Sequence, residues 1–356
     1  MFQKKTRIIC LFVFLAGCNH SFEQVGNYHL PYEFQIEHDL KPFKDLNLHR
    51  SQIKKAYLNN PKHLAYVRIL KNGEVTIETK SLPFVLSSRV EAVVKLVEQS
   101  IHRFGPLPEM EFIYNLEDEP QVKKNSDSLV PVFSFSSTAE YADVTFPMIG
   151  SGDFYRMDDV LKDIKAKAIP FEKKKDLLVW RGSQTGGEYN ELNWTEFPRS
   201  KLVLFCQKRA DLCDAGFSAY SQVTPGGKKA IEETVGLKKS ISMENMQAYK
   251  YIASLDGNTW PDRFPRLIAS NSLVFKENSK HYSFFDLALK PGVHYVSLKN
   301  DMSDLEEKIL WAKHHPKEVE EIIQNANQFA DQYLSQASVE AYVYKLLLKY
   351  SELFIS

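Results

Sequence analysis

The chain has 356 residues, 44% of them hydrophobic and 25% charged, with a formal net charge of +0 at pH 7. This is the composition of a globular protein able to bury sizeable cores, and the length fits about two domains of roughly 150 residues each. The balanced charge argues against a nucleic-acid-binding protein, which ordinarily carries a basic excess.

Lys4, Lys5 and Arg7 precede an apolar run from Ile8 to Leu15, and Ala16-Gly17-Cys18 follows. A basic start, a short apolar core and small residues at the exit read as a secretory signal, and the run is too short for a comfortable transmembrane helix. Leu15-Ala16-Gly17-Cys18 resembles a bacterial lipobox, so residues 1–18 are expected to be a signal whose cysteine is lipidated. The alternative is an ordinary signal peptide or short anchor with a coincidental cysteine. Either way the expectation is export: a membrane-anchored lipoprotein of a bacterial envelope, or a secretory-pathway lumen if the chain is eukaryotic. Asn19 to about Leu30 reads as a tether.

In Ser88–Phe104 the residues Val90, Val93, Val94, Val97, Ile101 and Phe104 recur at helical spacing, closed by Gly105 and Pro106. Glu111–Leu116 and Val130–Phe135 read as strands. This alternation predicts an α/β domain with a parallel sheet. The charged, turn-rich stretch Asp153–Lys175 holds the domain boundary. A second alternation follows, with strands at Leu177–Trp180, Tyr251–Leu255, Leu273–Phe275 and Val293–Leu298, and helices at Arg199–Lys208 and Pro261–Ala269. Ser303-Asp304-Leu305-Glu306 reads as a capping box opening another helix. Pro316–Phe354 reads as two helices broken near Ser335. Cys206 and Cys213 suit a disulfide in an oxidising compartment, and suit two unpaired core thiols equally.

Three clusters carry candidate chemistry. Asn115-Leu116-Glu117-Asp118-Glu119-Pro120-Gln121 directly follows a strand, where a carboxylate can serve as a general base. The same residues read as a divalent-metal ligand set or, on spacing alone, as a polar turn before Pro120. Val179-Trp180-Arg181-Gly182-Ser183-Gln184-Thr185-Gly186-Gly187 is a strand running into a loop of glycines and hydroxyls, whose amides can approach phosphate oxygens. It lacks the Gly-Lys-Ser/Thr ending of a Walker loop, and a plain turn fits as well. Arg199, at the next helix start, sits against the helix dipole, which points to an anionic ligand more than to stability. Lys250–Phe264 reads as strand, turn and helix start, with Arg263 as a candidate phosphate fork. Trp260 reads as core and Asp256 as a turn-capping residue.

Taken in order, these stretches resemble the family 90 glycosyltransferases, which include the protein O-glucosyltransferases and the fungal capsule-associated xylosyltransferases. The resemblance rests on Ile36-Glu37-His38-Asp39-Leu40-Lys41-Pro42-Phe43, Asn115–Gln121, Pro131-Val132-Phe133-Ser134-Phe135-Ser136, Trp180-Arg181-Gly182-Ser183, Lys250–Arg263 and Leu289-Lys290-Pro291-Gly292-Val293-His294-Tyr295-Val296. It implies an α/β GT-B architecture, two Rossmann-like domains facing a cleft, with C-terminal helices. Residues 19–165 would be the acceptor-side domain, 166–334 the nucleotide-sugar domain and 335–356 a C-terminal helix. It implies inverting, metal-independent transfer of a hexose or pentose, glucose or xylose foremost, from a UDP-sugar to a glycan or protein hydroxyl, with no cofactor. Carried over by position, Asp118 is the base. Ser183, Arg199, Asn258, Thr259, Trp260, Pro261, Asp262 and Arg263 bind the donor, with Arg263 and Arg199 meeting the charge of the leaving UDP. His294 and Tyr295 read as structural residues on a strand. The chain departs from the eukaryotic members in two respects. Glu140-Tyr141-Ala142-Asp143 leads into a shortened Phe146-Pro147-Met148-Ile149-Gly150, and the cysteine-rich N-terminal part is missing. A competing reading, a catalytically silent glycan-binding protein on the same scaffold, has no chemical need for Asp118.

Overall fold

The computed structural model describes residues 28–60, 62–80, 86–126, 129–147 and 153–355. The signal reading of residues 1–18, and Met148, Ile149 and Gly150, lie outside the described residues. The chain divides into two compact units. One holds residues up to Met157 together with Tyr282–Ala288 and Gln336–Ser356, and the other holds Asp158–His281 and Leu289–Ser335.

The first unit opens with helices α1 (Glu33–Leu40) and α2 (Arg50–Asn59), then a hairpin of β1 (Leu64–Ile69) and β2 (Val75–Thr79). Gly73, at φ 82, closes the hairpin by donating its amide to Leu70 at 2.8 Å, a left-handed backbone that glycine adopts at no steric cost. Helix α3 (Ser87–Phe104) follows and buries Val90, Val93, Leu96 and Val97, the stripe its spacing requires. Then come β3 (Met110–Asn115), β4 (Val132–Ser134) and β5 (Val144–Thr145). The sheet order is β2-β1-β3-β4-β5. β3, β4 and β5 run parallel, but β1 is antiparallel to both β2 and β3. The parallel sheet expected from the sequence is therefore mixed, because a short hairpin can only return antiparallel.

The second unit contains α4 (Met157–Ala166, from Asp158 on), β6 (Lys175–Ser183), α5 (Pro198–Lys208), β7 (Cys213–Ala219), α6 (Pro225–Thr234), α7 (Met243–Met246), β8 (Tyr249–Ser254), α8 (Phe264–Leu267), β9 (Leu273–Glu277), β10 (Val296–Leu298), α9 (Leu305–His314) and α10 (Pro316–Tyr333). Its sheet, ordered β10-β9-β8-β6-β7, is parallel throughout. Leu178, Trp180, Tyr251, Ala253, Leu273 and Phe275 bury into one core with Leu202 and Val203 of α5. A disulfide joins Cys206 to Cys213, tying α5 to the start of β7. The last helix, α11 (Gln336–Ser351), belongs to the first unit and packs on α3.

Three local expectations shift. α8 is four residues long instead of spanning Pro261–Ala269, because Pro265 sits in its first turn and Asn271, at φ 54, ends the segment. β10 begins at Val296, since Gly292, at φ 76, turns the chain and leaves His294 and Tyr295 outside the strand. There His294 Nδ1 accepts the Lys290 amide at 3.0 Å and its ring lies 5.3 Å from that of Phe329. The capping box at Ser303 does not form. α9 starts after Asp304, whose carboxylate accepts the Lys299 amide at 3.1 Å. Among the described residues no helix is long and apolar enough to cross a membrane.

Candidate active site

In the first unit the candidate base stands on a loop that its own neighbours shape. Asn115, the last residue of β3, is fully buried. Its side-chain oxygen accepts the Glu117 amide at 2.9 Å and its side-chain nitrogen donates to the Glu119 carbonyl at 2.7 Å. This Asx-type turn projects Asp118 at the carboxyl end of β3. Downstream, buried Asp143 accepts the amides of Gln121 at 2.8 Å and Val122 at 2.7 Å and the Ser134 hydroxyl at 2.6 Å. Burial pushes the Asp143 carboxyl up to about 6, against the pull of those donors. Three stretches separate in the sequence thus meet at one loop: Asn115–Gln121, the strand at Ser134 and the stretch ending at Asp143.

Asp118 has a partner that sequence reasoning missed. Arg89, in the first turn of α3, donates Nη2 to Asp118 Oδ1 at 2.7 Å and Nη1 to the Leu116 carbonyl at 2.6 Å. The Asp118 side chain keeps 36% of its exposure. Glu117 pairs instead with His63, so the Glu-Asp-Glu triplet points its members to different partners. Among the described residues no group of three or more His, Cys, Asp or Glu is placed to hold a metal.

In the second unit the residues expected on the donor side gather at the carboxyl ends of β6 and β8, where open parallel sheets bind their ligands. Arg199 is the knot. Buried at 7% exposure, it donates to three backbone carbonyls: Ser183 at 2.7 Å, Asp256 at 2.7 Å and Leu255 at 3.2 Å. Its guanidinium also lies 5.6 Å from the Trp180 ring. Burial lowers its pKa to about 10. The expectation from the sequence is an anion-binding role for Arg199; in the structure at least three of its five N–H donors go to the strand ends. Its first task is to fix the two loops against each other.

Those loops touch. Gly186, at φ 97, donates its amide to Asn258 Oδ1 at 3.1 Å and to Gln222 Oε1 at 3.0 Å. A Cβ on Gly186 would fall 2.6 Å from the Gly257 carbonyl oxygen. Gly257 donates to the Thr259 carbonyl at 2.8 Å, closing the turn, and Thr259 and Trp260 are buried beneath it. Pro261 accepts the Phe264 amide at 3.0 Å, which sets the start of α8. Arg263, next to Asp262, donates Nη1 to the Arg181 carbonyl at 2.8 Å, and burial lowers its pKa. Ser183, Arg199 and Asn258 to Arg263 therefore converge as one cluster. Asp118 belongs to the other unit. Gln222 and Glu277 join the donor-side cluster without any sequence signal, because each reaches it from a strand end or loop remote in the chain.

Each unit is thus of α/β type, one with an all-parallel Rossmann-like sheet and the other with a carboxylate loop at a strand end. Residues 28–356 match glycosyl transferase family 90, and the chain belongs to that family. It is an enzyme of the glycosyltransferase class. Its relatives include protein O-glucosyltransferase 1 of Mus musculus, 29% identical over 340 residues, covering 90% of this chain and 80% of that protein. Protein O-glucosyltransferase 2 of Danio rerio is 30% identical over 339 residues, covering 93% of this chain and 64% of that protein. Among solved structures, a glycosyltransferase from Rickettsia africae aligns with a TM-score of 0.37 at 11% identity, over 77% of this chain and 81% of that one.

Proposed function

We propose that this chain is an inverting, metal-independent glycosyltransferase of GT-B type that moves a hexose or pentose, glucose or xylose foremost, from a UDP-sugar to a hydroxyl. The observation that carries the donor half is the convergence of Ser183, Arg199, Asn258 and Arg263 at the carboxyl ends of β6 and β8. The acceptor half rests on Asp118, held on its loop by Arg89 and Asn115. In the reaction Asp118 takes the proton of the acceptor hydroxyl as its oxygen attacks the anomeric carbon. The bond from that carbon to the UDP oxygen breaks on the opposite face, which inverts the centre. The diphosphate gains charge, and the Arg263 guanidinium with loop amides stabilises it. The family relatives named protein O-glucosyltransferases favour a protein Ser or Thr as acceptor, with an envelope glycan the alternative. The basic, apolar and small-residue run ending at Cys18 supports export with a lipid anchor.

The test is Asp118→Asn, assayed for sugar transfer and, by calorimetry, for UDP binding. Transfer is expected to vanish while UDP binding survives. Transfer at the normal rate in the Asn variant overturns the assignment of the base. Failure of the folded wild type to bind UDP overturns the donor assignment.

A further inference from the structure

The donor loop leans on a buried acid that plays no part in the chemistry above. Glu277 is the last residue of β9 and is 5% exposed. Its Oε2 accepts the amide of Asp256 at 2.9 Å. Asp256 is the residue whose carbonyl Arg199 holds, and its carboxylate accepts the Ser279 hydroxyl. One buried chain of contacts thus runs from β9 through Asp256 to Arg199 and on to Ser183, linking the carboxyl ends of β9, β8 and β6. The loop that begins at Asp256 ends at Arg263.

Resting on the nucleotide-binding reading, we propose that Glu277 is a positioning residue for the donor loop, and that binding a nucleotide diphosphate there is coupled to protonation of its carboxylate. An amide hydrogen bond alone needs only a neutral acceptor, and Gln would fill that role without burying a charge. A carboxylate adds a second negative charge beside Asp256 in a low-dielectric setting, where a lone charge is costly. Arg199 and Lys276 offset it. The facing groups are Asp256 after β8, Arg199 from α5, Tyr189 from the loop after β6, and Lys276 beside it on β9; β10 sets apolar Leu298 in register with it. Lys276 lies 5.5 Å from the Phe264 ring and 5.8 Å from the Tyr295 ring. Burial first, and Asp256 second, raise the Glu277 carboxyl to about 7. A diphosphate arriving at the adjoining cations brings further negative charge, so the protonated acid is the form that best tolerates the ligand. The sign follows by linkage: a proton bound more tightly in the complex makes affinity fall as pH rises through the acid's own range.

The experiment is calorimetric titration with UDP of the wild type and of Glu277→Gln, from about pH 6 to about pH 9, each in two buffers of different ionisation enthalpy. UDP's own protonation is common to both proteins and cancels in the comparison. The wild type is expected to take up a fraction of a proton near neutrality that the Gln variant does not, and to lose up to about tenfold in affinity relative to the variant at the alkaline end, the consequence of about one unit of coupling. Glu277→Ala, which leaves the Asp256 amide without its acceptor, is expected to weaken UDP at every pH. Identical proton uptake in wild type and Gln variant overturns the coupling, as does uniform weakening in the Gln variant, the mark of a merely structural role. Should the variants not fold, the wild type is titrated with UDP-glucose, whose diphosphate diester has no group titrating near neutrality, and a profile with no proton uptake there overturns the coupling alone. Absence of UDP binding by the folded wild type instead removes the nucleotide reading on which the proposal stands.

Discussion

Asp118 shares its carboxylate with Arg89 at 2.7 Å, and the consequence is for its placement. The same guanidinium donates to the Leu116 carbonyl at 2.6 Å, so one side chain holds both the carboxylate and the loop that carries it. Removing it has a readable sign. In Arg89→Leu kcat/KM for sugar transfer is expected to fall roughly tenfold or more, while UDP affinity measured by calorimetry stays as in the wild type. Unchanged transfer in the folded variant would show that the loop holds Asp118 without Arg89. The pairing itself was not legible in the sequence. Asp118 stood out by its place after a strand, but Arg89 is one arginine near the start of a helix 29 residues earlier. Only the packing of that helix against the sheet brings the two together.

At the scale of the element, the two donor-side loops behave as one piece. Their contact is a backbone approach, Gly186 against Gly257, stitched by Asn258 and by the three carbonyls on Arg199. Alanine at position 186 would meet both a left-handed backbone and an oxygen 2.6 Å from its Cβ. Strain of this kind is worth about 1–3 kcal/mol, so Gly186→Ala is expected to weaken UDP binding roughly tenfold or more. Titration of the folded variant checks this, and unchanged affinity would show that the loops tolerate separation. The strands that carry these loops were legible because apolar runs at Leu177–Trp180, Tyr251–Leu255 and Leu273–Phe275 have the right length for buried parallel strands. The hairpin β1–β2 was not, since six and five residues of mixed polarity leave little periodic signal. The helix after Arg263 is shorter than its apolar spacing predicts, because that spacing does not register that Pro265 and a left-handed Asn271 confine it to one turn.

For the whole molecule, the all-parallel sheet of the second unit and the mixed sheet of the first divide the candidate chemistry between them, donor cluster in one and carboxylate loop in the other. In the proposed reaction the leaving diphosphate is met by arginine and amides, with no step assigned to a metal. Transfer activity is therefore expected to survive dialysis against EDTA, and loss restored by added divalent cation would replace this mechanism by a metal-assisted one. The sequence by itself determined the α/β class, most of the strands that hold the clusters, and the family, because apolar periodicity and ordered local motifs are properties of neighbouring residues. It also singled out Asp118, Ser183 and Arg263. Tertiary structure alone decided that Arg199 clamps three carbonyls, that Arg89 pairs with Asp118, and that Glu277 supports the donor loop. Those contacts join residues between 16 and 57 positions apart, and no local pattern encodes a guanidinium's choice among distant oxygens.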